Sequence, residues 1–154
     1  MADIAILGSG GWGMALAVSA HLSGNNVTLW SPFDEEVKML TEKRCNEKLL
    51  SGIVLPDGIK ITSDISCVSG SALTILATPS TVIRSVAAQL AEQKDFGIVV
   101  NVSKGLEKGS LLRLSQVIGS LPCRGGCAQY TYLLSGGFKI PCYRADSAEH
   151  NVRR

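Results

Sequence analysis

An α/β fold built on a doubly wound parallel sheet is what this sequence predicts, and three observations carry the prediction. Short, continuous apolar runs alternate with segments of helical period, a glycine cluster stands at the first change from one to the other, and the composition favours close helix packing. The chain has 154 residues, 45% of them hydrophobic, only 5% aromatic and 16 of them glycine. That length suits a single core, and continuous apolar strands suit a sheet covered on both faces.

The elements follow in order. Asp3-Ile4-Ala5-Ile6-Leu7 reads as a buried strand. After Gly8-Ser9-Gly10-Gly11-Trp12-Gly13, apolar positions recur at helical spacing from Met14 to Leu22, until Ser23-Gly24-Asn25-Asn26 stops them. Val27-Thr28-Leu29-Trp30 is a short β-prone run. Ser31 then stands as a helix cap, Pro32 as a first helical residue and acids in the first turn, which predicts a helix from about Pro32 to Lys43. Residues 45–58 are irregular and end in the turn Leu55-Pro56-Asp57-Gly58, before a strand at Ile59–Thr62 and a helical turn capped by Asp64. A strand at Ala72–Ala77, a helix at Ser80–Gln93, a strand at Gly97–Val102 and a helix at Ser110–Ile118 complete the alternation. Right-handed crossovers and ligands at the carboxyl ends of the strands are expected of such a sheet. From Pro122 the periodicity is lost, so the expected division is a nucleotide-binding domain at 1–122 and a divergent tail at 123–154.

The glycine cluster has the form G-x-G-x-x-G in the context that gives it meaning, leaving a strand and opening a helix. Gly8 serves a tight turn, Gly10 lets a pyrophosphate approach the backbone, and Gly13 lets helix and strand pack closely. The helix amino terminus offers N–H groups and partial positive charge to the phosphates. A Rossmann-like dinucleotide site is therefore expected. The ribose-binding acid usual at the end of the second strand is missing, for Trp30-Ser31-Pro32 stands there. Without a carboxylate to repel a 2′-phosphate, NADP is tolerated as well as NAD. Ser31 is then either a phosphate donor or only a helix cap, and Asp34 is a second group with reach to the ribose. Lys104, just past a buried strand, stands where cofactor and substrate should meet and can fix a phosphate or polarise a carbonyl.

These segments, together with Leu55-Pro56, Ala77-Thr78-Pro79-Ser80 and Val102-Ser103-Lys104-Gly105-Leu106-Glu107, closely resemble in order and spacing the amino-terminal domain of bacterial NAD(P)-dependent glycerol-3-phosphate dehydrogenase. The resemblance covers residue 3 to about 122. It implies reversible hydride transfer between NAD(P)H and dihydroxyacetone phosphate, giving sn-glycerol 3-phosphate for phospholipid synthesis. It also implies that Gly11, Trp12, Ser31 and Pro32 line the cofactor site beside Gly8, Gly10 and Gly13. Lys104 would touch nicotinamide and substrate, and residues 77–80 would form the floor. The family more often has Ser at position 11 and a basic residue or His near 31–32. Its substrate-binding Leu-Ser-Gly-Pro-Ser segment is matched only by Leu134-Ser135-Gly136, which makes Gly136 a substrate-binding candidate. The family's general acid or base, a lysine of a further helical domain, has no counterpart here. The tail reads as a truncated or frame-shifted end, and the isolated chain is expected to be inactive.

Other classes fare less well. The formal charge of +2 is small and the basic residues are scattered, so no nucleic-acid partner is expected. No signal peptide or membrane-length apolar run is visible, which predicts a soluble, cytoplasmic protein without membrane insertion; a homo-oligomer stays open. Five irregularly spaced cysteines argue against a disulfide framework. Cys123 and Cys127 lack partners at ligand spacing, so no metal is expected. Trp12 and Trp30 are weighed as stacking residues against ordinary packing, and His21 and His150 are expected at the surface. The competing readings are a different reductase of similar architecture, such as a ketopantoate or hydroxyacyl type, against which Ser103-Lys104-Gly105 argues, and a non-catalytic nucleotide-binding module.

Overall fold

The computed structural model describes residues 1–120. Gly136, and the tail expected at 123–154, lie outside the described residues. Five strands, β1 (Asp3–Leu7), β2 (Asn26–Trp30), β3 (Lys60–Thr62), β4 (Leu73–Leu76) and β5 (Ile98–Asn101), form one sheet in the order β3-β2-β1-β4-β5. Every pairing is parallel. The order reverses between β2-β1 and β4, and such a switch point opens a crevice at the carboxyl ends of the strands. The register places Leu7 beside both Trp30 and Leu76, and Leu76 beside Asn101. The four loops that follow therefore leave the sheet along one edge.

Strand alternation sends β1 to both faces. Ile4 and Ile6 join Met14, Ala17, Val27, Leu29 and Leu40 in one core, under α1 (Gly11–Leu22) and α2 (Asp34–Lys43). Ala5 and Leu7 join Trp30, Ile83, Val86, Leu90, Val117 and Ile118 in the other, under α3 (Ile83–Ala91) and α4 (Leu114–Gly119). With both faces covered, the apolar runs need no polar interruption.

The strand positions agree with the sequence expectation, trimmed by a residue or two at the ends of β3, β4 and β5. Asp64 does cap a helical turn, its carboxylate accepting the Ser66 N–H at 2.9 Å ahead of the 3₁₀ segment Ile65–Val68. Three helices start later than the sequence suggests. The helix expected from Pro32 begins at Asp34, because Phe33 is extended and the Ser31 side chain is engaged elsewhere. The helix expected from Ser80 opens as a 3₁₀ turn, Ser80–Val82, and becomes α-helical at Ile83. The helix expected from Ser110 begins at Leu114, since Gly109 and Leu111 have φ of +100° and +56° and Leu106 bridges to Arg113. Two left-handed residues in three cannot continue a helix.

Candidate functional site

The β1–α1 turn is built from backbone. Gly8 has φ +126°, its N–H donates to the Trp30 carbonyl at 3.0 Å, and a Cβ there would stand 2.6 Å from the Ala77 carbonyl oxygen. Only glycine meets both conditions. A Cβ on Gly13 would run into the Gly8 carbonyl and touch Ala77, so helix and strand do pack as closely as the motif requires. Gly10 is the opposite case. It is the N-cap of α1 in extended conformation, no side chain caps the first turn, no acid lies in it, and a Cβ would meet nothing within 4 Å. The amino end of a twelve-residue helix is thus left open to the edge of the sheet, with unpaired N–H groups and the positive end of its dipole.

Gly11 is placed differently from Gly10. A Cβ there would collide with the Leu49 carbonyl, so its free side is filled by the irregular segment after α2. Trp12 is 58% exposed at the rim, whereas Trp30 is 2% exposed and donates its Nε1–H to the Ser63 carbonyl at 2.9 Å. Stacking thus remains open to Trp12, while Trp30 is a core residue. Pro32 is exposed in the turn, two residues ahead of α2.

The β2–α2 turn corrects the sequence reading. A carboxylate does stand at the end of β2, supplied by Glu36 from the first turn of α2. Its Oε2 accepts the hydroxyl of Ser31 at 2.5 Å and that of Ser9, in the glycine turn, at 2.7 Å. Both serines are buried, Ser31 completely. The Ser31 hydroxyl is therefore neither a free phosphate donor nor the helix cap, although its oxygen also accepts the Phe33 N–H at 3.4 Å. A residue six positions past the end of a strand is not where the usual pattern looks for the acid, and the only signal for it was the acidic first turn.

Beyond β4 and β5 the floor is pinned. Ser103 donates its hydroxyl to the Thr78 carbonyl at 2.5 Å, and its backbone exchanges hydrogen bonds with the Asn101 side chain, both residues being buried. The next residue, Lys104, is exposed at the carboxyl edge, and Gly105 follows with φ +110° beside Ser80. Glu107 makes a two-point contact with Arg84 of α3 at 2.6 and 2.8 Å. Those bonds, with one from Ser110, hold its carboxyl down at about 2. The Lys104 loop is thereby tied to α3. Thr78, on the floor, is 7% exposed, and its hydroxyl has no partner among the described residues. A buried hydroxyl without a partner is costly, so this one fits a site completed by a polar ligand.

The structure thus brings Gly8, Gly10, Gly13, Trp12, Ser31 and Lys104 to the carboxyl edge of one sheet, with Thr78 of the expected floor beside them, and adds Glu36, which the sequence does not single out as a site residue. His21 is half-buried, packed against Gly58, and its Nδ1 has no partner among the described residues; it is not at the surface as expected. A separate cavity of about 420 Å³ lies at the opposite, amino edge, lined among others by Asp3, Asn26, Lys60 and Cys67. Burial and the Asp64 charge push the Cys67 thiol up to about 11, so it is not a nucleophile at neutral pH. Among the described residues no helix is long and apolar enough to cross a membrane.

Residues 3–128 match the sequence model of the family described as NAD-dependent glycerol-3-phosphate dehydrogenase N-terminus. A Fusobacterium nucleatum protein named as a glycerol-3-phosphate dehydrogenase of the NAD(P)+ type is 42% identical over 120 residues, covering 77% of this chain and 36% of the relative. A Geobacillus kaustophilus protein of the same name is 41% identical over 120 residues, covering 77% and 35%. The crystal structure of glycerol-3-phosphate dehydrogenase from Coxiella burnetii superposes with a TM-score of 0.74 at 26% identity, over 84% of this chain and 40% of that one. The chain therefore spans little more than a third of the length of these curated relatives.

Proposed function

Because the chain belongs to the family of NAD-dependent glycerol-3-phosphate dehydrogenase N-terminal domains, we propose that it binds NAD or NADP in the crevice at the carboxyl ends of its strands. The observation that carries the reading is the open amino terminus of α1. Gly10 leaves room above uncapped N–H groups at the switch point of a parallel sheet, which is the environment a pyrophosphate requires. Gly8, Gly10 and Gly13 shape that seat, Gly11 and Trp12 begin the helix that faces it, and Ser31 and Pro32 border it at the end of β2. Thr78 offers an unused hydroxyl on the floor. When bound, the nicotinamide nucleotide supplies or accepts the hydride.

The reaction proposed for the protein is that of the named relatives, interconverting dihydroxyacetone phosphate and sn-glycerol 3-phosphate as a supply for phospholipid synthesis. In it Lys104 supplies a positive charge at the meeting point of nicotinamide and substrate. The Asn101–Ser103 bonds hold the residue before it and the Arg84–Glu107 pair the loop after it, so the backbone that carries Lys104 is fixed while its exposed side chain is free to reach a phosphate or a carbonyl oxygen. Gly136 is assigned to the substrate by resemblance. A nucleotide-binding unit at 1–122, a cytoplasmic setting and self-association belong to the same proposal. A titration of NADH fluorescence with the purified chain tests it, beside the variant Gly10→Asp. Saturable binding that the variant abolishes is the expected result; a folded chain that leaves NADH fluorescence unchanged overturns the proposal.

A further inference from the structure

Resting on that reading, the geometry points to Glu36 as the residue that makes the site select a nucleotide whose adenosine ribose carries a free 2′-hydroxyl over one that is 2′-phosphorylated. Glu36 Oε2 is held by two buried or nearly buried serine hydroxyls, Ser31 at the end of β2 and Ser9 in the glycine turn. The carboxylate therefore bridges the two loops between which the ribose of a dinucleotide lies in this kind of crevice. Both known donors use Oε2, and among the described residues none reaches Oε1. One carboxylate oxygen is thus anchored and the other is free to accept a ribose hydroxyl. The same fixed negative charge opposes a 2′-phosphate.

The surroundings reinforce that preference. Asp34 and Glu35 stand beside Glu36 in the first turn of α2, both exposed, and residues 31–36 contain no basic group. Arg44, at the far end of α2, is spent on the Ile59 carbonyl at 2.7 Å and lies near Asp57. Nothing cationic in this turn replaces the guanidinium that a 2′-phosphate would call for. A purely structural role, in which Glu36 only ties the two turns together, gives no reason for one nucleotide to be favoured. The ratio of affinities therefore separates the two roles.

The test measures NADH and NADPH dissociation constants by fluorescence for the whole chain and for Glu36→Gln, with the urea midpoint of each. The native chain is expected to favour NADH by roughly tenfold or more, the worth of a charge-assisted hydrogen bond. The variant should bring the two affinities together, mainly by weakening NADH. Equal affinities in the native chain, a preference for NADPH, or an equal loss of both in the variant overturns the inference while leaving the proposed function standing. Failure of both nucleotides to bind the folded native chain overturns the two together. Should Glu36→Gln not fold, displacement of NADH from the native chain by 5′-AMP and by 2′,5′-ADP still decides. Stronger competition by 5′-AMP supports the assignment and stronger competition by 2′,5′-ADP refutes it.

Discussion

The turns after β1 and β2 face each other across the carboxyl edge of the sheet and meet their obligations by different means. The first, Gly8 to Gly10, works through the absence of side chains: a left-handed residue at Gly8, a close approach at Gly13 and an open face at Gly10. The second, Ser31 to Phe33, works through side chains, with a buried hydroxyl and a carboxylate folded back from α2. Ser9 joins them. A backbone-built turn announces itself in the sequence, because glycine is required wherever Cβ is forbidden. A side-chain-built turn does not, because the group that reaches the site sits wherever the helix phase allows.

The sharpest way to break the comparison is at Gly13. Gly13→Ala puts a methyl group into the Gly8 carbonyl, a backbone group that has no flexible end to yield. The expected loss is about 3 kcal/mol of stability, read as a lower urea midpoint, accompanied by lost nucleotide binding. An unchanged midpoint would mean that α1 and β1 are not packed as described.

Gly10→Asp should separate stability from binding. The position is open and is the N-cap of α1, so aspartate there raises stability by about a few tenths of a kcal/mol. It also sets a negative charge against the pyrophosphate, and NADH affinity should fall by more than about a hundredfold. A midpoint that drops together with affinity would show that Gly10 is needed for the fold and not for the ligand.

At the second turn, Ser31→Ala removes one of the two hydroxyls on Glu36. Stability should fall by about 1 kcal/mol, and the preference for NADH over NADPH should narrow without vanishing, since Ser9 still holds the carboxylate. A full loss of preference would assign the anchoring to Ser31 alone.

The smallest effect is expected at the Lys104 loop. The Glu107 carboxyl is held below its usual range, to about 2, chiefly by Arg84 and then by Ser110. A group whose pKa is lowered on folding contributes stability above its unfolded value, and that contribution is lost as pH falls through the folded one. The gap in thermal midpoint between the native chain and Arg84→Ala should therefore be present at neutral pH and close between about 4.5 and 2. An exposed pair gives little, so a gap that persists unchanged at low pH would show that Arg84 acts through packing.

Much of the fold was legible. Asp3–Leu7, Val27–Trp30 and Leu73–Leu76 announce themselves as apolar runs because the sheet is covered on both faces. Helix starts were read less well. Ser31-Pro32 has the composition of a cap, but its hydroxyl is drawn to Glu36, and Phe33 stays extended. The start at Ser110 failed because Leu111 takes a left-handed conformation that no leucine advertises. Of the candidate site, the glycine turn and the position of Lys104 past β5 were readable, since both depend on neighbours in sequence. Glu36 and the unpartnered Thr78 hydroxyl were not, because each is defined by elements that only the fold brings together. For Trp30 the ordinary packing weighed in the sequence is what the fold shows, with its ring in the core and its Nε1–H on the Ser63 carbonyl.

The nucleotide is proposed to sit at the carboxyl edge of the sheet. A titration of the ¹⁵N-labelled chain with NADH, followed by amide chemical shifts, tests it most directly. The largest shifts are expected at Gly10, Gly11 and Trp12, with smaller ones at Ser9, Ser31, Thr78 and Lys104. Shifts confined to Asp3, Asn26, Lys60 and Gly70, around the cavity at the amino edge, would contradict it.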